Sequence, residues 1–401
     1  MEKLFERHDQ YLAEIPTKFV RGVIDEIDWS LRLIAIKGPK GVGKSTLMLQ
    51  YIKLNFSADD RHVLYCSADT NYFTTHTLVD TADKFCKIGG RYLFIDEIHK
   101  YENWSREIKE IYDLHRELHI VISGSSLLQI NDGHSDLSRR LTEYQMSGLS
   151  FREFMCMMTG VNIEPIELSS LLNSPNLFCQ EVKRHFHPLE YFHLYLKEGY
   201  YPFYFENKKM YHNVIENVIN YIVDNELTMF RGLEVGNSRR IKALLQVLSK
   251  MVPYEVDISK LSRTIGIQRP TTLKYLKNLE EAALIRRLFT KIDTITDLQK
   301  PDKILIDNSN ILYTLSDSNP EIGTVRETFF CNQLCAAGHI VEYGGLKTGD
   351  FRIDKEIVIE VGGSDKGLKQ IQNEEYGYVA ADDIDNAFFR KIPLWAFGFL
   401  Y

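Results

Sequence analysis

Three short apolar runs punctuate the first third of the chain, "LRLIAIKG", "YLFI" and "HIVISG". Each lacks polar alternation and is too short for a helix, which predicts buried strands of a parallel sheet. After the first run, "STLMLQYIKLNF" repeats apolar side chains at helical spacing. Strand and helix in alternation predict an α/β unit built on a parallel sheet with helices on both faces. Residues 162–176, "NIEPIELSSLLNSPN", are polar and proline-containing and read as a linker or insertion. Residues 188–251 turn helical, and the aromatics of "YFHLYLKEGYYPFYFE" read as a packed core rather than a base-stacking surface.

Further on, "DISKLSRTIGI" predicts a short helix capped by Asp257 and closed by a glycine turn. "QRPTTLKYLKNLEEAALI" predicts a second helix with apolar positions at Leu273, Leu276, Leu279 and Leu284, and "IRRLFT" opens a strand. The order is that of a winged helix-turn-helix. The last hundred residues give a strand in "KPDKILID", a helix carrying Glu327 in "GTVRETFFCNQLCAAG", and an apolar strand carrying Glu360.

The chemistry begins where the first apolar run breaks. Gly38, Pro39, Lys40, Gly41, Val42, Gly43, Lys44 and Ser45, followed by Thr46, fit G-x-x-x-x-G-K-[S/T] between a strand and a helix. The glycines let backbone N–H groups turn toward phosphate oxygens, and the helix N-terminus adds a favourable dipole. Lys44 is expected to reach the β- and γ-phosphates and the Ser45 hydroxyl to ligate Mg²⁺. The ion needs a carboxylate from a neighbouring strand, and "YLFIDE" supplies Asp96, with Glu97 placed to polarise a water. Paired acids favour hydrolysis over transfer to an acceptor, and no compact acceptor domain or lid suggests a small-molecule kinase. His99 reads as a surface residue. "HIVISGSS" ends in hydroxyls, so Ser123 or Ser125 is a candidate for the γ-phosphate or its attacking water. No Asn-Lys-x-Asp motif for guanine occurs, which leaves ATP as the expected nucleotide.

These blocks carry a resemblance. "GPKGVGKST", "LFIDEIHK", "ISGSS", the pair Arg139 and Arg140, "LSFREF", "YLKEGYYP" and "IDNSNILY" stand in the order seen in one family. It comprises AAA-type P-loop ATPases of bacteria and archaea with a C-terminal winged helix and a restriction-endonuclease-like domain. The resemblance implies an ATPase domain at 1–160 and a helical lid or linker at 161–235. A winged helix would follow at 236–298 and a small, degenerate nuclease-like α/β domain at 299–401. It also implies that Arg140, or Arg139 beside it, contacts the γ-phosphate bound by a neighbouring subunit or partner. A guanidinium's forked donors suit that task.

Charge changes the picture in one place. The chain of 401 residues carries −7 overall, which argues against coating nucleic acid. Residues 235–291 nevertheless hold 12 Lys and Arg against 4 Asp and Glu. Arg269, Lys274 and Lys277 lie where a recognition helix meets phosphates, which makes double-stranded DNA the expected partner. In the last segment a nuclease of the restriction type needs an acid followed by Asp/Glu-x-Lys. Glu327, Asp350 and Glu360 supply acids, but the triplet reads Glu360-Val361-Gly362 and lacks its lysine. Lys366 or Lys369 is a possible replacement; the simpler expectation is a fold kept without its activity.

With 44% hydrophobic and 26% charged residues the composition is that of a globular protein. No apolar run approaches the roughly 20 residues of a membrane span, and "MEKLFERHDQ" has no signal-peptide core. The six cysteines show no disulfide or zinc-like spacing, so buried thiols and a cytoplasmic setting are expected. The overall expectation is an Mg-dependent ATPase coupled to DNA or a protein partner. The alternatives are a slow nucleotide-dependent switch and, less favoured, an ATP-gated nuclease.

Overall fold

Five strands build the first sheet: β1 (Leu33–Gly38), β2 (Val63–Ser67), β3 (Tyr92–Asp96), β4 (His119–Ser125) and β5 (Thr142–Gln145). The structure is a computed structural model that describes residues 1–125, 137, 139–228, 235–250, 254–255, 257–290, 300–345 and 348–401. All pairings in this sheet are parallel, in the order β2-β3-β4-β1-β5. The three apolar runs are β1, β3 and β4. Their nearly unbroken burial follows from a sheet packed by helices, where a polar face would find no water. Helices Glu2–Glu14, Lys44–Asn55, Leu78–Lys87 and Trp104–Leu114 complete this P-loop NTPase fold.

Strand order corrects one expectation. Asp96 was expected on a strand next to that of the glycine loop, but β4 lies between β1 and β3. The register sets Gly38 beside Ser125 and Ile95 beside Ile122, so β4 delivers its hydroxyls between the loop and the acids. Gly38 itself is demanded by space. A Cβ there would meet the Met146 carbonyl oxygen at 2.1 Å, because the chain after β5 runs against β1.

The chain divides into compact units at Met1–Ser147 and Gly148–Tyr401. The second opens with the helix Phe151–Thr159, started by a reciprocal capping box. Ser150 Oγ accepts the Glu153 N–H at 3.1 Å and the Glu153 carboxylate accepts the Ser150 N–H at 3.1 Å. Residues 162–176 contain the helix Leu168–Asn173, whose Leu168 and Leu171 are buried, so this stretch packs rather than links. The aromatics of residues 191–205 are core as expected: Phe192, Tyr195, Tyr200, Tyr201 and Tyr204 are all buried.

Later in the unit, the helices Ile258–Ile265 and Arg269–Glu281 are joined at Gly266, whose φ of 67° is the left-handed turn the sequence suggested. An antiparallel sheet of β6 (Tyr254–Glu255), β7 (Ile285–Leu288) and β8 (Lys303–Ile306) accompanies them in the order β6-β8-β7. The strand read in "KPDKILID" is therefore the partner of β7. After the helix Ile322–Ala336 comes a third sheet, of β9 (Val341–Tyr343), β10 (Phe351–Ile353), β11 (Ile357–Gly362), β12 (Gly377–Ala381) and β13 (Lys391–Pro393). Its first three strands are antiparallel and its last three parallel. None of the described helices is long and apolar enough to cross a membrane.

Candidate nucleotide site

The loop between β1 and the helix Lys44–Asn55 turns twice through left-handed backbone, at Gly41 (φ 87°) and Gly43 (φ 101°). Only glycine takes these angles without steric cost, so the spacing of the motif is a backbone requirement. Val42 is fully buried and anchors the loop, while the Arg21 guanidinium donates to the Val42 carbonyl at 3.2 Å and the Ser147 carbonyl at 3.0 Å. Lys44 opens the helix and is buried; its ammonium donates to the Gly38 and Pro39 carbonyls, each at 2.9 Å. Ser45 and Thr46 occupy the first turn, half-buried and exposed respectively.

Asp96 ends β3 with 4% of its surface exposed and accepts two hydroxyls. Tyr65 on β2 donates to Oδ2 at 2.7 Å and Ser123 on β4 donates to Oδ1. Burial and the adjacent Asp96 charge hold the Tyr65 phenol far above its ordinary value, so it stays a donor. These two hydroxyls orient the carboxylate. The Asp96 carboxylate and the Ser45 hydroxyl are oxygen donors, the kind that suit a hard cation such as Mg²⁺.

Glu97 follows in left-handed backbone, φ 50° and ψ 40°. The arrangement is held by the Glu97 N–H, which donates to Ser123 Oγ at 3.1 Å. Ser123 thus ties both acids together, whereas Ser125 contributes its backbone. The Ser125 N–H reaches His99 Nδ1 at 3.4 Å, and His99 Nε2 lies 3.2 Å from the Glu97 carboxylate, off the line of a good hydrogen bond. His99 is no surface residue: 2% of it is exposed. Burial, then the charges of Lys100, Lys44 and Lys40, push its imidazole down to about 3. It is therefore neutral, and with Nδ1 accepting, its hydrogen sits on Nε2 and faces Glu97. A buried histidine three residues past a strand end leaves no periodic signal, which is why sequence reading missed it. Tyr65 was missed because it comes from another strand.

The remaining candidates lie elsewhere. Arg140 pairs with Asp113 at 3.1 Å within its own unit, and Arg139 beside it is exposed. Arg269, Lys274 and Lys277 are exposed on the helix Arg269–Glu281, where Lys277 approaches Glu281 at 3.8 Å. Glu327, Asp350 and Glu360 belong to the second unit, on the helix Ile322–Ala336, just before β10 and on β11.

Comparison with known proteins agrees with this geometry in the first unit. Residues 30–155 match a family profile described as an AAA domain. Residues 189–321 match a domain of unknown function, DUF8612. No curated protein matches the sequence. Among solved structures, PCH-2 of C. elegans is 18% identical over 44% of this chain and 48% of its own, with a TM-score of 0.25. AMPPCP-bound DnaA from Aquifex aeolicus is 19% identical over 65% of this chain and 85% of its own, at 0.27. The Aeropyrum pernix ORC1 protein in complex with DNA is 10% identical over 79% and 92%, at 0.30. Scores this low carry no argument about activity or partners. The glycine loop, the buried Asp96 and the strand order are those of a P-loop NTPase fold, and the stretch 30–155 is similar to an AAA domain.

Proposed function

We propose that the first unit binds Mg–ATP and hydrolyses it, and that the second couples this to duplex DNA through the helix Arg269–Glu281. The observation that carries the reading is Glu97, a strained acid beside the phosphate loop, faced by a neutral imidazole. Lys44 leaves the carbonyls of Gly38 and Pro39 to reach the phosphates. Ser45 and Asp96 hold Mg²⁺, whose charge offsets that of the phosphates. Glu97 takes a proton from the attacking water, whose oxygen bonds to the γ-phosphorus as the bond to the β-bridging oxygen breaks. Arg140 leaves Asp113 to meet the nucleotide of a neighbouring copy or partner.

Support for DNA comes from exposure of Arg269, Lys274 and Lys277 on one helix of a helix–turn–helix followed by paired strands. A second reading, a slow switch, is favoured by the Arg140–Asp113 pair, since an arginine so engaged leaves basal turnover low.

The test is phosphate release by the full-length protein, with and without duplex DNA and with Lys44→Ala as the blank. DNA is expected to raise turnover severalfold, and charge reversal at Arg269, Lys274 and Lys277 to remove that effect. Turnover indifferent to DNA would refute the coupling, and no turnover above the blank would leave the switch reading.

A further inference from the structure

Away from the nucleotide site, the described residues of the second unit enclose a cavity of about 570 Å³ beside the helices Ile258–Ile265 and Arg269–Glu281. That size falls within the roughly 300–1,000 Å³ of sites that hold small organic groups, and a phosphate alone would leave most of it empty. Arg269, which opens its helix, and Lys300, just before β8, bring two positive charges to the lining, and both are exposed. The two acids of the lining are turned to backbone donors. Asp257 caps the helix Ile258–Ile265 by accepting the Ser259 N–H at 2.9 Å and the Lys260 N–H at 3.0 Å. Asp302 accepts the Thr290 N–H at 2.8 Å. Gln268 makes no side-chain cap on the helix Arg269–Glu281, so the positive end of that helix adds to the field of Arg269. The ligand this arrangement attracts is an anion.

The rest of the lining fits more than a phosphate. Pro301 is buried and Tyr343 half-buried, and their rings give a flat base a surface to lie against. Ser259 and Thr290 add exposed hydroxyls. Tyr343 also closes the space. Its N–H donates to the Phe289 carbonyl at 2.9 Å, so β9 continues the edge of β7 and the third sheet forms a wall of the cavity. A continuing duplex needs a groove open along its length, whereas a walled cavity at the start of a basic helix suits the end of a strand. Charge points the same way. A terminal phosphomonoester carries about −1.5 to −2 at neutral pH, against about −1 for a phosphodiester within the chain. Two cations on one cavity favour the more highly charged end.

We propose that this cavity seats the phosphorylated end of a DNA strand, with the terminal phosphate on Arg269 and Lys300 and the terminal base against Tyr343 and Pro301. The proposal rests on the reading that the helix Arg269–Glu281 meets DNA, and it names the form of DNA preferred: a broken or processed end rather than an intact duplex. A free mononucleotide presents the same phosphate and base, and the experiment separates the two sources. Binding here makes and breaks no covalent bond.

The experiment measures fluorescence anisotropy of DNA hairpins, labelled in the loop, on titration with the full-length protein. The single open end of each hairpin carries a 5′-phosphate, a 3′-phosphate or hydroxyls only. One phosphorylated end is expected to bind at least about tenfold more tightly than the hydroxyl end. Lys300→Gln, a change at an exposed position, is expected to bring that ratio to within about twofold. Excess dAMP is expected to abolish the preference while the hydroxyl-ended hairpin stays bound. Equal affinity for all three hairpins overturns the end seat and leaves the DNA reading standing. A preference that survives both Lys300→Gln and Lys300→Glu overturns the assignment to this cavity. Failure to bind any hairpin overturns both readings, and dAMP held through Lys300 in that case makes free nucleotide, not DNA, the source of the phosphate.

Discussion

At φ 50° and ψ 40° Glu97 sits where a non-glycine residue pays on the order of 1–3 kcal/mol, and Ser123 holds it there. Two predictions belong to this scale. If Glu97 is the base, Glu97→Gln keeps ATP affinity within about twofold and lowers turnover by at least roughly 100-fold, read by nucleotide titration and single-turnover hydrolysis. Equal turnover in the variant would remove Glu97 from that role. His99 is a positioning residue, since it reaches the reaction only through Glu97. His99→Ala is expected to lower kcat about tenfold with little change in ATP affinity, and His99→Gln, which keeps an amide donor, to recover part of it. Loss of affinity in step with rate would instead mark a merely structural histidine.

Among elements, the decisive feature is the placement of β4 between the loop strand and the acid strand, which makes one serine the joint of the whole site. The second unit has a comparable joint in Asn310, fully buried at the start of the helix Ser309–Leu315. Its amide N–H₂ donates to the Tyr195 carbonyl at 3.1 Å and the Leu196 carbonyl at 2.9 Å. Its carbonyl accepts the Tyr200 N–H at 2.8 Å and the Tyr211 hydroxyl. It thereby satisfies backbone groups freed where the helix Pro188–Glu198 ends. Asn310→Leu strands all of these at once. A loss of about 2–4 kcal/mol is expected, measured by urea denaturation of the full chain; a change under about 0.5 kcal/mol would show that water replaces the amide.

For the whole molecule, pH and salt are the informative variables. His8, on the helix Glu2–Glu14, is buried, and its Nδ1 accepts the Tyr65 N–H at 3.0 Å. Burial, partly opposed by Asp9, lowers it from 6.5 to about 4, and His99 falls to about 3. Both are neutral when folded, whereas the unfolded chain protonates them near 6.5. Their contribution is therefore complete above pH 6.5 and is lost as pH falls through the window from 6.5 to about 3. That loss is on the order of 3 kcal/mol for His8 and 5 kcal/mol for His99. Denaturation midpoints are expected to drop across this window, and less so in His8→Gln; a flat profile would mean these imidazoles reach water. If Arg269, Lys274 and Lys277 contact phosphates, DNA affinity falls steeply with salt, and each substitution reduces the logarithmic slope by about 1.

Sequence by itself determined whatever depends on neighbours along the chain. The glycines at 41 and 43, Lys44 and Ser45, Asp96 and Glu97, and the Gly266 turn are all set by local backbone chemistry and hydrophobic period. Only the tertiary structure decided what meets across strands. It placed Tyr65 and Ser123 on Asp96, buried His99 against Glu97, joined β8 to β7, and led the stem of Lys366 into the space beside Gly362. The physical reason is the same in each case. Side chains brought together by sheet order and burial have no fixed spacing in sequence, so no motif records them.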